Sequence, residues 1–132
     1  MIILGVDYGR RKIGLALSEG SLAQPLGVVK VTSSLDAVGK MRQAVAKHLA
    51  GTIVLGISEG KMAEEQKEFA RLLSQTLPVE VRTWDETLTT MDAKSLSLAA
   101  HLPRAKRRKL EDAFAASVML QSYLDHETAS SS

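Results

Sequence analysis

Short apolar runs separated by polar turns fill the first quarter of the chain. One run covers residues 2–6 and ends at Asp7, a second covers about residues 13–17, and a third covers residues 26–31. Strong strand formers on both sides of a short connection that contains glycine are typical of a β-hairpin. Because short turns join all three runs, the pattern predicts antiparallel neighbours, since parallel pairing requires a longer crossover.

From residue 32 onward, helical spacing alternates with further strand patterns. Ser33 and Asp36 resemble a capping box, and apolar residues at helical spacing then run to a predicted stop at Gly51. Residues 53–57 are continuously apolar, as in a strand covered on both faces, and a second helix is predicted to end before Pro78.

The last third contains one alternating strand, over residues 79–84, followed by two helices, over about 89–100 and 110–125. The order β-β-β-α-β-α-β-α-α predicts an α/β fold with a mixed five-stranded sheet. Three antiparallel strands would be extended by parallel βαβ units, with helices on both faces. We expect one domain over residues 1–126 and a frayed polar tail over 127–132.

Composition narrows the class of protein. The chain has 132 residues, a net charge of +2 and no cysteine, which excludes disulfides and cysteine-based metal sites. No apolar run approaches the roughly 20 residues that span a bilayer. The first run meets Asp7 too early for a signal peptide. A cytoplasmic protein without a membrane partner is expected.

Several carboxylates occur where the predicted strands end. Asp7, Glu59 and the Asp85–Glu86 pair fall at the sheet edge where ligands gather in α/β folds, and Asp112 lies near the start of the last helix. Converging carboxylates favour bound cations, and Mg²⁺ suits such oxygen ligands. Two ions about 4 Å apart would support phosphodiester hydrolysis. Glu59 and Asp85 are secondary candidate ligands, because neighbours on an extended strand point in opposite directions.

Basic residues form two clusters that suggest a nucleic-acid partner. The longer cluster precedes the last predicted helix, where the helix dipole disfavours cations by about 0.3–1 kcal/mol each, so a role in phosphate binding would explain it. A charge run is more often only a solvated surface. The candidates for contact with the nucleic-acid backbone are Arg10, Arg11, Lys12, Lys61, Arg104, Lys106, Arg107, Arg108 and Lys109.

Three motifs together resemble the YqgF (RuvX-like) family of ribonuclease H-like nucleases. They are Gly-Val-Asp-Tyr-Gly-Arg-Arg-Lys-Ile-Gly-Leu-Ala over residues 5–16, Trp-Asp-Glu-Thr-Leu-Thr-Thr over 84–90, and Glu-Asp-Ala-Phe-Ala-Ala over 111–116 with Leu-Gln-Ser-Tyr-Leu over 120–124. The resemblance covers essentially the whole chain. It implies a ribonuclease H-like fold, a nuclease dependent on one or two Mg²⁺ or Mn²⁺ ions, and an acidic triad of Asp7, Glu86 and Asp112.

The resemblance implies one of two substrates, an rRNA precursor processed at the 5′ end of 16S rRNA or a branched DNA junction. The residues do not decide between RNA and DNA, because the bond that is cut is chemically alike. A homodimer stays open, since symmetric junction cleavage needs two active sites.

Two other interpretations stay open. A catalytically decayed RNA- or ribosome-binding module is suggested by Thr87, where the family usually has arginine, and by the altered loop at residues 58–61. A phosphotransferase or ATPase is suggested by Gly-x-Asp-x-Gly, but such proteins are built from two domains of this kind.

Overall fold

The computed structural model describes residues 1–86 and 103–131, so Thr87 and the helix predicted over 89–100 lie outside the described residues. The described elements in chain order are β1 (Ile2–Tyr8), β2 (Lys12–Ser18), β3 (Ala23–Lys30), α1 (Ser34–His48), β4 (Ala50–Ile57), α2 (Met62–Thr76), β5 (Glu80–Asp85), α3 (Arg104–Lys109) and α4 (Glu111–Ser131).

The five strands form one mixed sheet in the order β3-β2-β1-β4-β5. β1 and β2 pair antiparallel, as do β2 and β3, whereas β4 lies parallel to both β1 and β5. The predicted α/β fold class is therefore confirmed. Among the described helices none is long and apolar enough to cross a bilayer.

Each face of the sheet has its own apolar core. On one face, Leu4 and Leu55 pack with Met41 of α1 and Phe69 of α2. The other face carries smaller residues and packs against α4 through Leu120 and its neighbours. This face needs glycine, because a Cβ on Gly14 would lie 2.0 Å from the backbone oxygen of Asp112. The glycine thus lets the start of α4 rest directly on β2.

The ends of α1 show one prediction confirmed and one wrong. Ser33 caps the helix, with its Oγ accepting a hydrogen bond from the backbone N–H of Asp36 at 3.1 Å. The stop is Leu49, at a left-handed φ of 56°, and not Gly51. The Leu49 side chain is 79% exposed, so no packing opposes this conformation. β4 begins at the next residue, Ala50, which pairs with Ile2 and leaves Gly51 inside the strand.

The C-terminal part differs from the predicted pattern in two places. The basic run forms its own short helix, α3, instead of only preceding the last helix, because lysine, arginine and alanine all favour helix. Leu110, at φ −107° and ψ 12°, separates α3 from α4. The helix predicted to end near residue 125 continues to Ser131, and Thr128 Oγ1 donates to the Leu124 carbonyl at 2.9 Å within it.

Candidate active site

Asp7 lies at the end of the central strand, opposite Gly14 of β2. Its carboxyl group is mostly buried. That burial, followed by the charges of Glu86 and Asp112 and a hydrogen bond with Glu86, raises the pKa of Asp7 to about 7 from an ordinary 3.8. An aspartate that holds its proton close to neutral pH is the behaviour expected where carboxylates converge.

Glu86 reaches Asp7 because it follows β5 directly and lies over Gly56 of the neighbouring strand. A Cβ on Gly56 would lie 2.4 Å from Glu86 Oε1, so the glycine leaves the space that this side chain fills. Burial raises the pKa of Glu86, a hydrogen bond from Asp7 opposes that shift, and the charge of Asp85 adds to it. The two carboxyl groups therefore share a proton, which Asp7 donates to Glu86.

Asp112 is the second residue of α4 and the third carboxylate of the candidate triad. Its Oδ2 lies 2.9 Å from Lys12 Nζ, and 32% of its side chain is exposed. The contact with Asp112 raises the pKa of Lys12. The closeness of Gly14 to the Asp112 backbone fixes where this carboxylate can lie.

An open cleft of about 400 Å³ lies beside these acids. Its lining residues come from the end of β1, the following turn, the start of α2 and the start of α4. They are Asp7, Tyr8, Gly9, Arg10, Arg11, Lys12, Met62 and Asp112. The cleft thus combines carboxylates with a cationic rim, which suits an anionic substrate held near a cation.

The structure brings Asp7 and Glu86 into contact and Asp112 into electrostatic range of Asp7. Within residues 1–86 and 103–131, no three His, Asp or Glu side chains are grouped as they would be around a bound metal ion. Glu59 is exposed in the bend after β4, and Asp85 is exposed at the end of β5. The donor set is nevertheless all carboxylate, which is what Mg²⁺ and Mn²⁺ prefer, and its shared proton marks a charge that a cation would neutralise.

The predicted nucleic-acid contacts lie in different surroundings. Arg10 pairs with Glu65 at 2.9 Å, while Arg11 and Lys61 are exposed. Arg104 and Lys106 are exposed on α3, and the backbone of residues 107–109 completes that helix.

Gln66 is a supporting residue that the sequence pattern did not single out. It is 3% exposed, and its Oε1 accepts from the Ser58 N–H at 2.8 Å and from Ser58 Oγ at 3.0 Å. Its Nε2 donates to the Tyr8 carbonyl at 3.4 Å. This amide therefore joins the ends of β1 and β4 to α2. A polar residue in register with the buried Phe69 and Leu73 was the available signal.

The sheet order, together with acids on the central strand, after β5 and on the last helix, defines the ribonuclease H-like class. Two solved structures share this fold. *Thermus thermophilus* RuvC matches with a TM-score of 0.58 at 15% identity, covering 97% of this chain and 98% of that one. The fowlpox virus Holliday junction resolvase matches with a TM-score of 0.63 at 13% identity, covering 96% and 99%.

The sequence profile of the RuvX family, described as Holliday junction resolvase, matches residues 1–126, and the chain belongs to this family. A protein of *Pelotomaculum thermopropionicum* named "Putative pre-16S rRNA nuclease" is 40% identical over 136 residues, which cover 96% of this chain and 88% of that protein. A protein of the same name from *Syntrophus aciditrophicus* is 41% identical, covering 95% and 89%. A nuclease family of this kind hydrolyses phosphodiester bonds in nucleic acid.

Proposed function

We propose that the protein cleaves precursor 16S rRNA and that Asp7, Glu86 and Asp112 form its catalytic site. Named relatives at about 40% identity support the RNA substrate. The family description supports a branched DNA junction as the second candidate substrate. Action on an rRNA precursor places the protein in the cytoplasm. Action on a symmetric junction entails two copies of the chain, because both strands must be cut.

The observation that carries the proposal is the shared proton between Asp7 and Glu86, with the charge of Asp112 acting on the same group. Three acids from β1, the end of β5 and α4 serve no packing purpose at a cleft. Their mutual repulsion disfavours the metal-free site, and a divalent cation would relieve it.

Asp7, Glu86 and Asp112 would hold one or two Mg²⁺ or Mn²⁺ ions, which supply charge stabilisation to the oxygens that attack and leave phosphorus. The remaining work belongs to the chain. Asp7 gives up its proton when the site is loaded, Gly56 keeps room for Glu86, and Gly14 holds the start of α4 in position. The cationic rim of the cleft would hold backbone phosphates without reading bases.

The test is cleavage by purified protein with Mg²⁺, Mn²⁺ or a chelator. One substrate is an RNA that spans the 5′ end of 16S rRNA, and the other is a four-way DNA junction. We expect metal-dependent cutting of the RNA at defined sites by the parent and none by Asp112→Asn. Glu111→Gln, an exposed neighbour on α4, is the matched control and should cut like the parent. Metal-independent cutting, or an active Asp112→Asn, would contradict the proposal.

A module that binds RNA without cutting it is the second candidate function. The Lys12–Asp112 ion pair favours it, because an ammonium already neutralises one of the three carboxylates. The same assay separates the two functions. Tight RNA binding with no product under any metal would support the binding module.

A further inference from the structure

Lys12 occupies a position that links the acidic site to the cationic rim. We propose that Lys12 is a built-in counter-ion. Its ammonium neutralises Asp112 in the metal-free protein and passes to a substrate phosphate when a divalent cation takes Asp112. Metal binding and substrate binding are then coupled through one side chain. The inference rests on the proposed function, since it assigns Lys12 a role toward the metal and the phosphate of that same site.

The backbone of Lys12 is fixed while its side chain is free to move. Lys12 begins β2, pairs with Lys30 of β3, and accepts a hydrogen bond from the Gly9 N–H at 3.1 Å. The side chain is 60% exposed at the mouth of the cleft, and four methylene groups separate the ammonium from the strand. The charge can therefore leave Asp112 without any change in the sheet.

Asp112, by contrast, cannot move away from its cation. Its carbonyl oxygen lies where a Cβ of Gly14 would be, so the first turn of α4 is held against β2. A change of partner at this carboxylate is consequently an exchange of cations at a fixed site. An ion pair this exposed is weak, so a divalent cation displaces the ammonium readily.

The other cations of the turn do not serve in the same way. Arg10 is held by Glu65 on α2, at 2.9 Å. Arg11 is exposed and lines the same cleft, but the acid that the structure joins by an ion pair to this turn on the α4 side is bound by Lys12. Arg11 is therefore a matched control, because it is adjacent to Lys12 and carries the same charge.

The first measurement is Mn²⁺ binding to nucleic-acid-free protein by titration calorimetry. Lys12→Met should tighten binding by about two- to fivefold, the range expected when a competing exposed ion pair is removed. Arg11→Met should tighten it less, through net charge alone. Lys12→Arg keeps the charge and should bind Mn²⁺ like the parent. Thermal unfolding of each variant verifies that it is folded.

The second measurement is RNA affinity across a salt series, with and without Ca²⁺ as a divalent cation. Lys12→Met should flatten the slope of log affinity against log salt by about 0.7 for single strands, and only when the cation is present. Arg11→Met should flatten it equally under both conditions. A Lys12→Met effect that is independent of the cation would show an ordinary surface contact and overturn the inference.

The two proposals fail in distinguishable ways. If Asp112→Asn loses Mn²⁺ binding while Lys12→Met binds like the parent, the counter-ion role is wrong and the metal site stands. If the parent and Asp112→Asn bind Mn²⁺ equally, the metal site itself is wrong, and the role of Lys12 is overturned with it.

Discussion

Arg10 and Glu65 form a two-pronged ion pair that ties the turn after β1 to the first turn of α2. Arg10 Nε donates to both carboxylate oxygens, at 3.1 and 2.9 Å, and Nη2 lies 2.9 Å from Oε2. This guanidinium, expected from the sequence to meet phosphate, is therefore already engaged by a carboxylate in the free protein. Nucleic acid has to compete with Glu65 for it.

Removing Glu65 should release Arg10 for phosphate. Glu65→Gln is expected to tighten RNA binding and to steepen the salt slope by about 0.7 for single strands and about 0.9 for duplex. Glu68→Gln is the matched control, since Glu68 pairs with Arg71 on the same helix and its loss changes net charge equally. Equal slopes for the two variants, measured by fluorescence anisotropy, would show that Arg10 does not contact phosphate.

Asp7→Asn should abolish cleavage and stabilise the fold at neutral and alkaline pH. Because the pKa of Asp7 is about 7 when folded and 3.8 ordinarily, the folded state binds more protons between those values. The contribution of Asp7 to stability is thus fully present below about pH 4 and is lost as pH rises through 7. At pH 8 we expect Asp7→Asn to exceed the parent by about 1–3 kcal/mol in free energy of unfolding.

Asp36 provides the opposite sign for that experiment. A hydrogen bond from the Thr32 N–H, followed by one from Lys40, lowers the pKa of Asp36. Its contribution to stability is present above its unfolded pKa and is lost as pH falls through its folded pKa. Asp36→Asn should therefore be less stable than the parent near pH 7 and converge with it in acid. Urea unfolding at pH 4, 6 and 8 measures both variants. An Asp7→Asn difference that does not grow with pH would contradict the shared-proton site.

The α3 cations should contribute to binding through phosphate contacts. Replacing Arg107 and Arg108 with alanine is expected to weaken binding similarly across unrelated sequences and to flatten the salt slope by about 0.7 to 0.9 per lost contact. Alanine favours helix, so α3 should persist. Lys67 and Arg71 on α2, which pair with Glu64 and Glu68, give a matched double replacement. If both doubles change the slope equally, α3 is only a solvated surface.

Gly14→Ala should displace the start of α4. The new Cβ would lie 2.0 Å from the Asp112 oxygen and 2.3 Å from its carbonyl carbon, and neither backbone atom can move aside without shifting the helix. Overpacking of this kind costs roughly 1–3 kcal/mol or more, and cleavage should fall with it. Gly27→Ala, on neighbouring β3, meets nothing within 4 Å and should leave stability nearly unchanged. Equal denaturation midpoints for the two would refute the close approach.

The sequence predicted what depends on local pattern and topology. Strand and helix order follow from apolar spacing, and the parallel connection of β4 and β5 to β1 brings Asp7 and Glu86 to one edge. The left-handed Leu49 was missed because glycine is the usual choice and nothing local marks an exposed leucine as its substitute. The Arg10–Glu65 pair was missed because its partners lie 55 positions apart, and spacing alone does not choose a partner for a long exposed side chain.

The packing of α4 on the sheet also sets an order of events during synthesis. The Ala23 N–H donates to Gln121 Oε1 across 98 positions of the chain, whereas β1, β2 and β3 are joined by short turns. Contacts this distant in sequence form late in folding, and a chain emerges from the ribosome N-terminus first. The nascent chain therefore carries Asp7 and Glu86 long before Asp112 reaches them. An enzyme that cuts ribosomal RNA would stay inactive while its own synthesis is under way.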